Sequence, residues 1–394
     1  MTLETDIVVA GTGPAGLMAA LALEARGFRV ALVGPAVNLG DRRTTALMKP
    51  QLDFLERLEL LDAIEPESAP LRAMRIVDAT SRLLRSPVVT FRAAEIGEPY
   101  FGLNIPNRHL LAALDSAVTG NTRIQRVPSL VSRWVLGEDR AVAELDGGDT
   151  VSARLAVAAD GRLSPAREAA GITVRGTASG QAALVLNFAH SREHEGISTE
   201  FHTEFGPFTQ VPLPGRRSSL VWVTRPSRAE ELKQLDGQAL SLVVEERMQS
   251  MLGRVEVEEG CQVYPLTSAL PQSFARNRVA LVGEAAHIFP PIGAQGLNLS
   301  IRDIDALAEI AVRHSDDPGA PAGLSAYDRA RRPDILARSS AVDLLNRSLL
   351  SNMLPVQLAR ATGLSLLGSA PPLRALFMRE GLRTGSGFGS LFRR

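Results

Sequence analysis

The sequence predicts an α/β fold: a Rossmann-like domain assembled from separated segments, an antiparallel-sheet domain beside it, and a helical C-terminal region. Three observations predict this. Gly11-Thr-Gly13-Pro-Ala-Gly16 stands between two short apolar runs. Residues 181–225 break into short strand-like runs divided by Pro207, Pro212, Pro214 and Gly215. Beyond Leu297 the pattern is helical to about Leu367.

The opening is the most specific. Asp6–Ala10 is an apolar, β-branched run and predicts a buried strand. Leu17–Arg26 is rich in alanine and leucine and predicts a helix, which Gly27 ends. Phe28–Val33 is a second strand, so the segment reads β-α-β with minimal loops, the start of a dinucleotide-binding fold. Gly11 permits the tight turn. Gly13 removes a side chain where a pyrophosphate must approach the backbone, and Gly16 lets helix and strand pack closely. Pro14 and Ala15 complete the turn, after which free amide groups at the helix start face the phosphates.

The second strand of such a unit is expected to end in an acid for the ribose hydroxyls. Gly34 stands there instead, and Glu24 sits inside the preceding helix. Asp41, Arg42 and Arg43 follow soon after, and an arginine near a pyrophosphate has a direct electrostatic use.

Thr44–Leu61 reads as helical with an interruption at Pro50, and Leu71–Val89 as short strands. Asn107–Ala117 predicts a helix. Thr122–Ala159 is strand-rich, with a hairpin turn at Leu145–Asp149, and its buried last strand leads into Asp160-Gly161. The runs Ala182–Ala189, Ser198–Phe205, Thr209–Val211 and Ser219–Thr224 predict an antiparallel sheet. Ala229–Gly253 reads as helical. Val279–Val282 is one more buried strand, followed by a second glycine-rich cradle, Gly283-Glu-Ala-Ala-His-Ile-Phe-Pro-Pro-Ile-Gly-Ala-Gln-Gly-Leu-Asn298. In it Gly293 and Gly296 let the chain pass close to a ligand, and the amides near Leu297 and Asn298 point toward negative charge. After Gly381 a tail of glycine, serine and arginine is expected to fray.

Composition narrows the classes. The chain has 394 residues, 43 basic and 43 acidic, so the basic excess of a nucleic-acid binder is missing. Cys261 is the only cysteine, which rules out an internal disulfide, a redox-active cysteine pair and a cysteine zinc site, and no metal is expected. The first residues carry acids before a short apolar run, unlike a signal peptide, and charges interrupt the longer apolar stretches. A cytoplasmic protein is expected, with peripheral contact at the inner face of a membrane as a further expectation. The leucine-rich stretch Leu344–Leu376 carries Arg347, Arg360 and Arg374, and the tail carries Arg383, Arg393 and Arg394. Ordinary helix packing is the first reading of that stretch and a membrane-facing surface the second.

Four segments carry a family resemblance: GTGPAG, DRRTTAL at Asp41–Leu47, AVAADGRLSPAR at Ala156–Arg167, and VGEAAHIFPPIGAQGLNLSIRD. Together they resemble the FAD-dependent aromatic monooxygenases of the para-hydroxybenzoate hydroxylase fold. With YDRARRPD at Tyr327–Asp334 and PPLRALFMREG at Pro371–Gly381, the chain is most similar to the ubiquinone-biosynthesis hydroxylases of that fold. The resemblance spans nearly the whole chain. It implies a Rossmann-like FAD-binding domain in three parts (1–71, 99–176, 269–345), an antiparallel-sheet substrate domain in two (72–98, 177–268), and a C-terminal helical region with its tail (346–394). It implies cofactor contacts at Gly11, Gly13, Pro14, Ala15, Gly16, Arg43, Arg108, Asp160, Gly161, Gly283 and Glu284. The loop beside the isoalloxazine is implied at Pro290, Gly293, Gln295, Gly296, Leu297 and Asn298. Glu284 stands where the family has aspartate.

By the same resemblance, NAD(P)H is a transient co-substrate without a second nucleotide-binding fold. The reaction implied is oxygen transfer from a C4a-hydroperoxyflavin to the ring of a prenylated phenolic ubiquinone precursor, with a quinone-making complex as a further partner. Alternatives are a hydroxylase of a small soluble aromatic or secondary metabolite, a flavin reductase of prenyl chains, and a non-catalytic flavin-binding assembly protein. No side chain is identified as the catalytic base. His287 is read as a structural histidine bonded to loop backbone, with His202 and Tyr264 as candidates for the pocket that the residues alone do not single out. Phe205, Phe208 and Phe289 are read as core or pocket lining, and Cys261 as a small buried hydrophobe.

Overall fold

The computed structural model describes residues 2–81, 85–289, 295–350, 362 and 370–382. Its centre is a six-stranded sheet in the order Ala275–Arg276, Val279–Leu281, Leu155–Ala158, Ile7–Ala10, Val30–Val33, Ile124–Val127. Every pair is parallel except the short edge pair at Ala275–Arg276. Strands buried on both faces read as unbroken apolar runs, and Ile7–Ala10, Val30–Val33 and Leu155–Ala158 are buried throughout. The helix Pro14–Glu24 packs on this sheet with Gly16 to Leu23 buried. Gly27, at φ +97°, turns the chain into the next strand. Between the two strands that the segment 122–159 gives to the central sheet, Val131–Leu136, Ala141–Leu145 and Thr150–Ala153 form a separate small sheet with Thr2–Glu4, with Gly147 and Gly148 at positive φ in the expected turn.

The second large sheet runs Val255–Val257, Val174–His190, Arg217–Thr224, Gly206–Leu213, Ile197–Thr203, Ala73–Asp78, Val89–Arg92. It is antiparallel apart from one pair: Ile197–Thr203 runs parallel to Ala73–Asp78. One face carries Leu184, Leu186, Phe188, Phe201, Phe208, Leu220 and Trp222. These pack with Leu232, Leu240 and Val244 of the helices Pro226–Lys233 and Gly237–Arg247 into one core. Phe208 is fully buried at its centre, edge-on to both Phe201 and Trp222 at 5.7 and 5.1 Å.

Several expectations are corrected. Thr44–Met48 is a strand, paired with Gly102–Pro106, and a helix follows at Lys49–Arg57. Pro50 sits in that helix's first turn, where its missing N–H costs nothing, so it starts the helix and does not interrupt one. Ala229–Gly253 is two helices, because Asp236 caps a new one by accepting the Ala239 amide at 2.7 Å. Pro207 and Pro212 lie within the strand Gly206–Leu213, not at its ends. The strand Gln262–Pro271 was not anticipated, nor the outer half of Val174–His190 that pairs with it. Phe205 is 39% exposed beneath the Arg225 guanidinium and lines no core.

In the C-terminal region the helices Gln295–Arg313, Pro321–Leu350 and Pro371–Leu382 are described; the tail beyond 382 and most of 351–369 lie outside the described residues. Arg374 is engaged by Glu95 at 2.6 Å. Among the described residues no helix is long and apolar enough to cross a membrane.

The aromatic centre of the second sheet sets a stability prediction. Phe208→Ala should lower unfolding free energy by about 3–5 kcal/mol, read by denaturant titration of the flavin-loaded protein.

Candidate functional site

The first cradle, the Asp160-Gly161 turn and the second cradle meet beyond the carboxyl ends of three adjacent strands, Ile7–Ala10, Leu155–Ala158 and Val279–Leu281. Open parallel sheets bind ligands there. The approach is close enough to exclude side chains. At Gly11, φ is +114° and a Cβ would lie 2.2 Å from the Ala159 carbonyl oxygen. At Gly16 a Cβ would lie 1.8 Å from the Gly11 carbonyl oxygen. At Gly283, φ +66°, it would come within 3.0 Å of the Ala15 methyl, so the two cradles touch. Gly13 is different: among the described residues, a Cβ there meets nothing within 4 Å. Gly13 is also the N-cap of the Pro14–Glu24 helix, with no side-chain cap, so the first-turn amides behind it keep their hydrogen-bonding capacity. The open space at Gly13 thus lies where an anion meets the helix N-terminus.

Asp160 adds a second opening. Its Oδ2 accepts the Ala166 amide at 3.2 Å, while its Oδ1 is buried and has no partner among the described residues. Burial pushes this carboxyl above its usual range, against hydrogen bonds from Ser164 and the Ala166 amide. Gly161, at φ +87°, continues the turn into open space. Arg167 ties the turn to the second cradle, donating to the Ala285 and Arg162 carbonyls at 2.9 and 2.7 Å. A cradle glycine facing open space and an orphaned buried oxygen are the features that FAD, with its pyrophosphate and hydroxyl groups, would satisfy.

The Arg43 loop forms the rim. Arg43 makes a two-point contact with Asp41, 2.9 and 2.8 Å, and its guanidinium lies 5.8 Å from the Tyr264 ring centre. Asp41 also accepts the Asn107 amide group at 2.8 Å, and the Asn107 N–H donates to the Arg43 carbonyl. Burial alone would raise the Asp41 carboxyl, but the hydrogen bonds from Arg43 and Asn107 hold it below its usual range. Arg108 is the next residue, exposed on the first turn of the helix Asn107–Gly120, with its Nε on His109 at 3.0 Å. The structure therefore brings Arg43 and Arg108 to one rim but gives Arg108 no contact with the cradle glycines.

In the second cradle, Glu284 is exposed and lies 3.5 Å from Arg162. Pro290 and Gly293 lie outside the described residues. Gln295, Gly296, Leu297 and Asn298 form the first turn of the helix Gln295–Arg313. The Asn298 side chain faces the protein: it accepts the Met48 amide at 2.9 Å and donates to the Ala46 carbonyl at 2.7 Å. Its side chain thus pins the Thr44–Met48 strand, leaving only its backbone for a ligand.

The partner of the His287 side chain is not loop backbone. Its Nε2 lies 2.7 Å from Asp303 Oδ2, both side chains being buried, and Arg331 binds the other oxygen of Asp303. A buried carboxylate is tolerated when charged and polar partners surround it in this way. A separation of 16 positions hides that partnership from local sequence patterns. Cys261 is half-buried against the second sheet's core, and burial pushes its thiol up.

Gly34 now has a physical account. It is buried, and a Cβ there would lie 2.8 Å from Thr12 Cγ2. Thr12 is fixed in that place by its hydroxyl, which donates to the Pro35 carbonyl at 2.8 Å. The middle residue of the glycine turn fills the space an acid at position 34 would need.

Three comparisons bear on this site. The family model described as "FAD binding domain" matches residues 4–338. The protein named ubiquinone hydroxylase UbiL of Rhodospirillum rubrum is 36% identical, over 96% of this chain and 90% of its own. The 3-demethoxyubiquinol 3-hydroxylase of Escherichia coli is 28% identical, over 96% and 98%. In fold, the chain superposes on p-nitrophenol 4-monooxygenase PnpA of Pseudomonas putida with a TM-score of 0.79, at 21% identity, over 100% of this chain and 99% of that one.

Two predictions follow from the cradle. Gly11→Ala should destabilise the cofactor-free protein by more than about 1 kcal/mol, because a methyl collides with backbone at positive φ. Gly13→Ala should leave its melting temperature unchanged while weakening FAD binding, read by flavin fluorescence. At position 34, Gly34→Glu alone should weaken FAD binding, and adding Thr12→Gly should restore it. Tighter binding by the single variant would contradict the steric account.

Proposed function

Since the chain belongs to the FAD-binding-domain family of flavin-dependent hydroxylases, we propose that it hydroxylates the aromatic ring of a prenylated phenolic ubiquinone precursor, with oxygen and NAD(P)H as co-substrates. The observation that carries the ubiquinone assignment is the 36% identity to the Rhodospirillum rubrum hydroxylase along nearly the whole of both chains. The polarity of the second sheet supports a prenylated substrate over a small carboxylated aromatic. On the face turned from its helices, Val185 and Val221 are partly buried beside Ala183, Val223 and Leu266, and Ile76 beside Val89. Arg217, the arginine of that face, is already paired with Glu258 at 2.6 Å.

In this reading the segments 1–71, 99–176 and 269–345 hold FAD and the segments 72–98 and 177–268 hold the ring. Bound at the cradles, FAD supplies the redox chemistry that activates oxygen. Gly11 and Gly16 bring backbone segments together, Gly13 admits the pyrophosphate, and the amides of Ala15 and Gly16 meet its charge. Arg43 and Arg108 face the cofactor from the rim. Asp160 Oδ1 would be free to accept from a cofactor hydroxyl, and the Asp160-Gly161 turn would receive the nicotinamide donor. The first turn at Gln295–Asn298 presents its amides to the flavin edge. The apolar face of the second sheet keeps bulk water from the reacting ring. A substrate that lives in lipid places the protein in the cytoplasm against the inner face of a membrane, in reach of other quinone-making enzymes.

The test is the profile of prenylated aromatics in cells lacking the gene, beside cells in which it is restored, read by mass spectrometry. A precursor lacking one ring hydroxyl should accumulate while the quinone is lost, and its structure names the carbon. An unchanged quinone profile, where no second hydroxylase is present, would move the assignment to a soluble aromatic. Accumulation of a chain-unsaturated product would indicate a reductase. Loss of quinone that a flavin-free variant restores would indicate an assembly role.

A further inference from the structure

Position along the strands assigns the two faces of the second sheet. Phe201, Phe208, Leu220 and Leu186 lie against the helices, so their odd-step neighbours point the other way. That other face meets the cofactor side: Ser219 accepts from Thr44 Oγ1 at 3.0 Å, and Asn187 Nδ2 donates to the Arg42 carbonyl at 2.9 Å. Across it, strand register aligns one row: Val185 opposite Val221, Val221 opposite Thr209, Thr209 opposite Glu200, Glu200 opposite Ile76, Ile76 opposite Val89. Glu200 is the one carboxylate in a row of aliphatic side chains and a threonine. Its side chain is 19% exposed. A carboxylate placed there loses hydration without gaining an arginine or lysine, a cost that packing does not explain.

Its contacts are asymmetric. Oε1 is held by His202 Nε2 at 2.8 Å, and His202 is itself only 4% exposed. Oε2 has one long contact, from Thr209 Oγ1 at 3.4 Å. Other charged groups around the row are engaged elsewhere. Asp78, beside His202, binds Thr80 and the Ser86 amide. On the elements packed over this face Arg43 pairs with Asp41, Lys49 with Glu98 and Arg374 with Glu95. Tyr264, one row away, bonds to Gln262.

We propose that Glu200 is the base that takes the hydroxyl proton of the phenolic substrate through Oε2, with His202 as the positioning residue that fixes Oε1. This rests on the ring-hydroxylation reading above. A phenol attacks an electrophilic oxygen well only as its proton leaves, and Glu200 Oε2 is the carboxylate oxygen in this row whose one contact is a long hydroxyl hydrogen bond. The O–H bond breaks, its electron pair stays on the ring oxygen, and the proton moves to Oε2. The new ring C–O bond would form as the O–O bond of the oxygen donor supplied at the cofactor breaks. The carbon-bound hydrogen would then leave as a proton to the oxygen left behind, which departs as water. Glu200 returns its own proton to the ring oxygen, so the Glu200–His202 pair ends as it began.

The test uses the flavin-loaded protein with 2-geranylphenol and its methyl ether as probes. In equilibrium binding the wild-type protein should prefer the phenol about tenfold, and Glu200→Leu should lose that preference while still binding the ether. In turnover, Glu200→Gln should lower hydroxylation about 10²–10⁴-fold at neutral pH. Its rate should climb with pH as the phenol ionises unaided, and Glu200→Asp should restore part of the neutral rate. His202→Asn should reduce turnover less and shift the pH profile. Wild-type protein that binds neither probe would overturn the ring-hydroxylation reading and this base with it. Wild-type protein that hydroxylates the phenol, with Glu200→Gln keeping its rate and pH profile, would overturn the base alone.

Discussion

The structure depends on backbone touching backbone. Gly11 lies against Ala159, Gly16 against Gly11, and Gly283 against Ala15, with no room for a side chain at the first two. Each contact joins the end of one parallel strand to a neighbouring segment, so three distant parts of the chain close on one point. Because their side chains are missing, the amides of the Pro14–Glu24 helix start and the Asp160 turn are left facing the same space. A single larger residue at Gly11 or Gly16 would separate the segments and dissolve the site, whereas Gly13 is constrained only by what binds there.

From that junction the position of the second sheet is passed on by neutral hydrogen bonds. Asn298 holds the Thr44–Met48 strand from one side. On the other side Thr44 reaches Ser219, and Asn104 donates to the Pro212 carbonyl at 2.7 Å. Each such bond contributes about 1 kcal/mol net, but a buried amide left without its partner costs more. The distance between cradle and sheet is therefore set by geometry that fails as a unit. At the rim an ion pair does this work: Asp41 and Arg43, with the Asn107 amide bonded to Asp41, clamp a loop where water screens the charges.

What sequence could show was decided by how local the cause is. The parallel strands were legible because unbroken β-branched runs end in glycine, and each cradle carries its own spacing. The Thr44–Met48 strand was not, since threonine pairs beside a helix-forming segment are ambiguous until Gly102–Pro106 arrives to pair with them. The parallel pairing of Ala73–Asp78 with Ile197–Thr203 joins segments from separate parts of the chain and leaves no local mark. The same holds for the site. Gly34 was visible as a departure, but its cause, the Thr12 side chain, needed coordinates. His287 reads from sequence as bonded to loop backbone, and its actual partner, Asp303, lies too far along the chain to leave a local mark. Arg162, facing Glu284, sat in plain view beside Gly161 and carried no pattern to mark it.

The two halves of the site are built from different materials, and that governs how each can change. The cofactor half is made of absent side chains and backbone amides, so almost any substitution there acts on closure of the junction. The substrate half is a row of side chains standing on a sheet whose register is fixed by other contacts. Val185, Val221, Thr209 and Ile76 can be exchanged for residues of other size or polarity without moving a strand, because their backbone partners are set by the ladder. A fold of this kind can hold one cofactor geometry while its ring pocket is rewritten. Chemistry is then expected to sit on residues that break the local rule of their row, and an acid held by a buried histidine among aliphatic neighbours is such a break.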